Sequence, residues 1–362
     1  MNNIQYLLAL HSIDGLGPIR LKALVEYFKD PKLAWEANGS EIRSIGIPQP
    51  TVDLLLETRK KLNPEEYAKS IEGSGIKWAT LFDDNYPAPL KQIYDPPIVL
   101  YYKGEILPED ERAIAVVGTR KMTGYGKAVT EQFTKGLVSA GLTIVSGLAR
   151  GVDTQAHITA LEEKGRTLAI LGGGLNQIFP PENTDLAKKI EDGSGAVVSE
   201  FPPDYPSVAG NFPARNRVIS GLSKAVLVTE AAADSGSLIT ARLALEQGRE
   251  VYAVPGPITS SLSVGPIDLI KEGARPVSSA QDILDDLGIN RAQSAKGKVQ
   301  SQELSESEKS ILDCLENESM HIDEICRKLN INTAVVSGTL LKMEIVGLVQ
   351  NLGSGTYCVT KE

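Results

Sequence analysis

From residue 111 to 288 short apolar runs alternate with amphipathic stretches. AIAVVG (113–118), LTIVSG (142–147), TLAILGGG (167–174), GAVVSE (195–200), KAVLVTE (224–230) and EVYAVPG (250–256) read as buried strands. Helical patterns fall between them at 124–140, 152–164, 183–191, 216–222 and 237–246, and a last one covers 278–287. Apolar strands separated by helices of about ten to fifteen residues predict βαβ units and a parallel sheet covered on both faces. Right-handed crossovers make that sheet doubly wound.

The flanks read differently. Residues 1–75 predict a small helical domain, with helices over 2–11, 18–28 and 52–62. The turn Ile13-Asp14-Gly15-Leu16-Gly17-Pro18 and its weaker echo Ile45-Gly46-Ile47-Pro48 separate them. Helix, Gly-x-Gly turn, helix is how a helix-hairpin-helix offers backbone N–H groups to phosphate; a helical domain that simply turns at glycines fits equally well. The Pro-rich stretch 76–110 reads as a connector feeding short strands. Residues 289–305 lose apolar periodicity and read as a linker. Three helices (308–316, 322–329, 333–343) and a strand–turn–strand (347–351, 353–355, 356–359) then predict a winged helix over 306–362.

Composition narrows the classes. Among 362 residues the net charge is −9, and no apolar run approaches the ~18–20 residues of a membrane span. No basic, cleavable leader is visible, so the expectation is a cytoplasmic protein without a membrane partner. Cys314, Cys326 and Cys358 lack a CxxC pairing and match neither a disulfide framework nor a zinc site. They read as reduced thiols, and neither metal nor cofactor is expected. An acidic total argues against nucleic acid, but the charge is uneven: net −4 over 1–110, −1 over 111–303 and −4 over 304–362.

In an open α/β sheet, ligands bind beyond the carboxyl ends of the strands. There the chain places Gly118-Thr119-Arg120-Lys121, then Ser146-Gly147-Leu148-Ala149-Arg150-Gly151, then Gly172-Gly173-Gly174. Phe212-Pro213-Ala214-Arg215-Asn216-Arg217 and Asp234-Ser235-Gly236-Ser237 follow. Glycines allow close backbone approach, and serines at helix starts leave N–H groups free for anions. With Arg120, Lys121, Arg150, Arg215 and Arg217 at one edge, the pattern predicts an electropositive phosphate-binding rim on an acidic body.

The run after the first strand does not fit GxGxxG, and GxxxxGK[ST] is absent, so neither a dinucleotide fingerprint nor a Walker loop is present. A nucleic-acid backbone suits such an edge better, with Tyr125, Phe201, Tyr205 and Phe212 as candidates for stacking bases. Asp153 and His157, four residues apart on one predicted helix, make a conceivable metal pair, though a capping role for Asp153 is the more ordinary one. Glu200 and Glu230 sit at strand ends where a nuclease would want acids, but arginines crowd the same rim. No catalytic constellation is assembled. The winged helix offers only Lys342 on its recognition helix, too little for groove reading, which favours a protein-binding role for it.

Val117-Gly118-Thr119-Arg120, Ser146 to His157, Gly172-Gly173-Gly174 with Pro180-Pro181-Glu182-Asn183, Phe212 to Ser220, Ser235-Gly236-Ser237-Leu238 and Val254-Pro255-Gly256 together resemble the DNA processing protein DprA (Smf) family. The resemblance runs through the whole predicted sheet domain in order. It implies an extended Rossmann-like fold between a helical (SAM or helix-hairpin-helix-like) domain and a winged helix. It also implies single-stranded-DNA binding in natural transformation and help in loading RecA onto DNA covered by single-strand binding protein. A homodimer through the sheet domain is implied as well, and no known catalysis. The family's Gly-Ser-Arg turn is Gly118-Thr119-Arg120 here, and the basic position before its Arg-Asn-Arg is Ala214 or is shifted onto Arg215. Phosphate contacts are thus expected from Arg120, Lys121, Arg215 and Arg217 and from backbone N–H groups near Gly118, Thr119, Gly147, Gly173, Ser235 and Gly236, with Ser146, Asn216 and Ser237 also in the site and Arg150 supporting the rim. Rival readings are a nucleotide hydrolase on a related sheet, with Glu230 as acid/base, and a winged-helix transcription factor.

Overall fold

The computed structural model describes residues 3–289, 306–315, 319–329, 331–345, 348–353 and 355–359. The predicted linker falls almost wholly outside the described residues, as does Ser354 of the predicted wing turn. The chain divides into two compact units, one of residues 1–138 and 142–283, the other of 139–141 and 284–362.

In the first unit the strands are β1 (Lys77–Thr80), β2 (Val99–Gly104), β3 (Ala113–Val117), β4 (Thr143–Ser146), β5 (Thr167–Leu171), β6 (Gly195–Ser199), β7 (Ala225–Val228), β8 (Glu250–Ala253) and β9 (Arg275–Pro276). They form one sheet in the order β1-β2-β6-β5-β4-β3-β7-β8-β9, parallel from β6 to β9. β1 and β2 add an antiparallel ribbon at the β6 edge. The stretch 76–110 therefore extends the sheet itself; its prolines lie outside the paired residues, leaving the ladder donors intact.

Helices α1 (Ile4–His11), α2 (Pro18–Phe28), α3 (Pro31–Glu36), α4 (Gly39–Ser44), α5 (Gln49–Thr58) and α6 (Pro64–Gly73) precede the sheet. α7 (Ala88–Lys91), α8 (Gly124–Ser139), α9 (Val152–Glu162), α10 (Thr184–Lys189), α11 (Asn211–Gly221), α12 (Gly236–Glu246), α13 (Val264–Lys271) and α14 (Ala280–Asp286) follow in or after it. Pro sits in the first turn of α2, α3, α5 and α6, where its missing N–H costs nothing. Asn38 and Glu41 cap α4 reciprocally. In the turn before α2, Gly15 takes φ +84° and its carbonyl accepts the Arg20 guanidinium at 3.0 Å.

Alternation along the strands feeds two cores. Ala169, Leu171 and Val197 face a cluster that continues into Leu7, Leu10, Leu21 and Leu24 of the leading helices. Leu168, Ile170 and Val198 face another with Val218 and Ile219 of α11 and Leu238 and Ala241 of α12. Apolar burial on both faces explains why the strands read as continuous hydrophobic runs rather than alternating ones. Among the described residues, no helix is long and apolar enough to cross a membrane.

In the second unit, helices Glu306–Leu315, Ile322–Leu329 and Thr333–Ile345 pack with a three-stranded sheet: β10 (Met320–His321), β11 (Val349–Gly353) and β12 (Thr356–Val359), ordered β10-β12-β11. Ile311, Leu315, Ile325, Leu340 and Met343 form its core, and Cys314 is a buried free thiol. This is the winged-helix arrangement, with a short strand between the first two helices that periodicity did not show.

Ile170 is fully buried in the second core. Ile170→Ala is expected to cost about 2–5 kcal/mol of stability, read as a lower urea midpoint with unchanged slope.

Candidate nucleic-acid interface

The chain passes outward from β3 through β4, β5 and β6, then returns to place β7 on the other side of β3. At such a reversal the flanking loops diverge and leave a crevice. A cavity of about 650 Å³ opens there, walled by residues 118–121, Asp153 of α9, Phe212, Pro213, Arg215 and Asn216 of α11 and the 234–237 turn into α12. A smaller one, about 20 Å³, adjoins it, shares Arg120, Phe212 and Arg215, and adds Gly147, Arg150 and Phe179.

One residue shapes the loop after β3. The Glu230 carbonyl accepts the Thr119 N–H at 2.7 Å. Its carboxylate accepts the Thr123 N–H at 2.9 Å and the Thr123 hydroxyl at 2.6 Å. Gly118 is required by crowding, since a Cβ there would lie 2.6 Å from Val152 Cγ2 and 2.7 Å from the Glu230 carbonyl. The Thr119 hydroxyl turns inward to accept the Lys121 N–H at 3.2 Å. The effect is to leave Arg120 and Lys121 exposed at the mouth, with no ion pair among the described residues.

The other arginines are used otherwise. Arg215 is 4% exposed; its Nη1 donates to the carbonyls of Gly147 (2.6 Å) and Ile170, and its Nε to Asn216 Oδ1 at 3.2 Å. A Cβ on Gly147 would lie 2.6 Å from that Nη1, so glycine is needed for the guanidinium to fit. Burial lowers the Arg215 pKa to about 10, still charged at neutral pH. Arg150 pairs with Glu182, both well exposed. Arg217 requires a correction: it is buried, bonded to Glu200 and 3.0 Å from Asp95, and lines neither cavity. Two residues along the helix from Arg215, Arg217 faces away from the crevice, where Glu200 and Asp95 neutralise it.

Asp153 is also buried and accepts the Gly147 N–H at 3.0 Å, so the Asp153 and Arg215 side chains meet at one glycine. Burial raises its pKa to about 6, with Arg215 opposing the rise. His157 bonds Thr167 Oγ1 at 2.7 Å, and burial drops it to about 3, keeping it neutral. No group of three or more possible metal ligands occurs among the described residues.

The remaining predicted residues divide. Asn216, Ser235, Gly236 and Ser237 line the larger cavity; Ser235 caps α12, and the Asn216 amide donates to the Gly236 carbonyl at 3.2 Å. Ser146 does not reach it, because its hydroxyl donates to the Val116 carbonyl at 2.7 Å inside the sheet. Gly173 is covered by Ser207, so the triple glycine admits the 201–210 segment rather than an anion. Of the four aromatics, Phe201 and Tyr205 stack on each other and the Tyr125 hydroxyl donates to the Pro255 carbonyl at 2.8 Å. Phe212 alone of them walls the cavities, with the Arg120 and Arg215 guanidinium carbons 5.3 and 5.9 Å from its ring centre. Sequence reasoning passed over Phe179; its place before Pro180 in the third loop was the available signal. In the winged helix, Lys342 is held by Glu308 at 2.7 Å.

Comparison with known proteins adds a separate line. The family model described as DNA recombination-mediator protein A matches residues 77–288, and the DprA winged helix domain matches 296–355. Protein Smf of Synechocystis sp. is 34% identical, over 95% of this chain and 96% of its own length. DNA processing protein DprA of Bacillus subtilis is 46% identical, over 59% of this chain and 72% of its own. Among solved structures, DprA from Streptococcus pneumoniae aligns with a TM-score of 0.70 at 36% identity, covering 79% of this chain and 98% of that one. DprA from Helicobacter pylori, described for its single-stranded DNA binding mode, aligns with a TM-score of 0.52 at 31% identity, covering 58% and 95%.

Because burial raises Asp153, its contribution to stability is full below the ordinary carboxyl range and is lost as pH rises through about 6. Melting temperature followed from pH 4 to 7.5 should show a decline in the wild type that Asp153→Asn flattens at the acid end.

Proposed function

The chain belongs to the DNA recombination-mediator protein A (DprA) family, and we propose that it binds single-stranded DNA at the crevice between β3 and β7 and hands that strand to a recombinase. The observation that carries this is the pair Arg120 and Lys121, exposed and unpaired among the described residues at the mouth of a cavity. In this reading the two cations meet successive phosphates, Arg215 supplies a fixed charge behind them, and N–H groups at the start of α12 donate to phosphate oxygens. Gly118, Thr119 and Gly147 shape the floor, Arg150 the rim.

The proposal extends, with family membership as its support, to loading of RecA, exchange with single-strand binding protein, a role in natural transformation, a cytoplasmic setting and a homodimer through the sheet domain. The reading is of a binding protein rather than an enzyme. The hydrolase alternative loses its acid/base, since both carboxylate oxygens of Glu230 are engaged by Thr123 and Glu230 does not line the cavity. The transcription-factor alternative loses its cation, since Lys342 is paired with Glu308.

Anisotropy titrations with single-stranded and duplex oligonucleotides across salt test the reading. Arg120→Glu should weaken single-strand binding by about one to two decades at low salt, and unchanged affinity would remove Arg120 from the interface. Lys121→Ala should flatten the slope of log K against log salt by about 0.7, whereas Arg217→Lys should leave that slope alone.

A further inference from the structure

The nine-stranded sheet ends in two outer strands, and they are closed differently. β9 is two residues long, and one of them, Pro276, has no N–H to offer a neighbour. β1, at the other end, pairs only with β2. The Leu81 N–H donates to the Ile98 carbonyl at 2.9 Å, in the register of the β1–β2 pairs. Hydrogen-bonded pairs recur at every second residue of an antiparallel ladder. Lys77 and Ala79 therefore turn their backbone groups to β2, and Trp78 and Thr80 turn theirs outward. Thr80 is closed off by Asp83, whose carboxylate accepts the Thr80 N–H and whose N–H donates to the Thr80 carbonyl, both at 2.9 Å. The outward N–H and carbonyl of Trp78 meet no partner among the described residues. A lysine on an outer strand guards it against further pairing. Lys77 is spent elsewhere: it reaches back to Glu105 and, at 3.2 Å, to the Gly104 carbonyl.

A hollow of about 400 Å³ lies against this open place, lined by Glu72, Gly75, Ile76, Lys77 and half-buried Trp78. Lys77 is neutralised by Glu105, while Glu72 is exposed and has no ion pair among the described residues. The hollow thus combines an indole surface, one unmatched carboxylate and two backbone groups waiting for a strand. We propose that β1 is a docking edge for an extended segment of a partner protein, which adds a tenth strand beside Trp78. Such a segment sets a basic residue against Glu72 and an apolar one in the hollow. Main-chain bonds would supply affinity, and the hollow and Glu72 the selectivity. A second copy of β1 would bring its own unmatched Glu72 to the same edge, and like charges oppose that pairing. None of the crevice residues takes part, so this inference stands apart from the nucleic-acid reading.

The test uses the full-length protein and a fluorescein-labelled nine-residue peptide. Valine alternates with threonine in it, and lysine replaces the second and fourth threonines. Anisotropy should show saturable binding. Amide exchange followed by NMR should show new protection of the Trp78 N–H, with those of Lys77 and Ala79, already bonded to β2, unchanged. Two N-methylated peptides, one blocked at the valine nitrogens and the other at the alternate nitrogens, should differ, because only one set faces β1. One should bind about 3- to 10-fold more weakly than the parent, and the other should match it. Glu72→Lys, a substitution at an exposed position, should weaken the lysine peptide by about 2- to 5-fold and leave a glutamine version unaffected. Absence of saturable binding, equal loss with both N-methylated peptides, or protection that spares Trp78 overturns the docking edge. A dimer in sedimentation velocity that gains Trp78 protection with rising protein concentration would assign the edge to a second copy and overturn the partner-segment reading.

Discussion

The crevice depends on one carboxylate placed at the end of a strand. Glu230 follows β7, the neighbour of β3, and ties down both ends of the loop that leaves β3: Thr119 through its carbonyl, Thr123 through its side chain. Two strands in register fix where that loop begins, and the bonds to Glu230 fix how it turns. The residues between the two ties, Arg120 and Lys121, are thereby pushed outward. An acid that a motif search would credit with catalysis is thus an anchor for cations, and its removal would free the loop that displays them.

Arg217, Arg215 and Arg120 show how desolvation sorts identical side chains into different roles. Arg217 is buried and is neutralised by Glu200 and Asp95, which holds α11 in place without facing a ligand. Arg215 is as deeply buried but is satisfied mainly by carbonyl oxygens, so its charge stays largely uncancelled apart from Asp153. Among the described residues Arg120 meets the Phe212 ring and forms no ion pair, and it is exposed to solvent. A buried guanidinium needs acceptors on every side it presents. The one left without them is the one free to meet an anion. The crevice is electropositive for this reason although the whole chain carries a net charge of −9.

Aromatic residues are divided by the same logic. Phe201 and Tyr205 cover each other in the segment that lies over the triple glycine, Tyr125 spends its hydroxyl on a carbonyl, and Phe212 packs between cations. Only placement in three dimensions separates these from Phe179, whose ring stays partly open beside a neutralised ion pair. In the acidic winged helix the recognition-helix cation Lys342 is held by Glu308 within its own unit.

By itself the sequence determined the alternation of strands and helices, the doubly wound sheet and the edge on which loops gather, because apolar periodicity and glycine placement act locally. It likewise marked Gly118 to Lys121 and the turn into α12, where backbone crowding and helix capping are written in neighbouring residues. It did not determine that β1 and β2 join the sheet, since pairing partners lie about a hundred residues apart in the chain for β2 and β6. Nor could it tell Arg215 from Arg217, or show that Gly173 lies against Ser207. Those outcomes were decided by the tertiary structure, because whether a charge is free depends on which acids and carbonyls the fold brings to it from elsewhere in the chain.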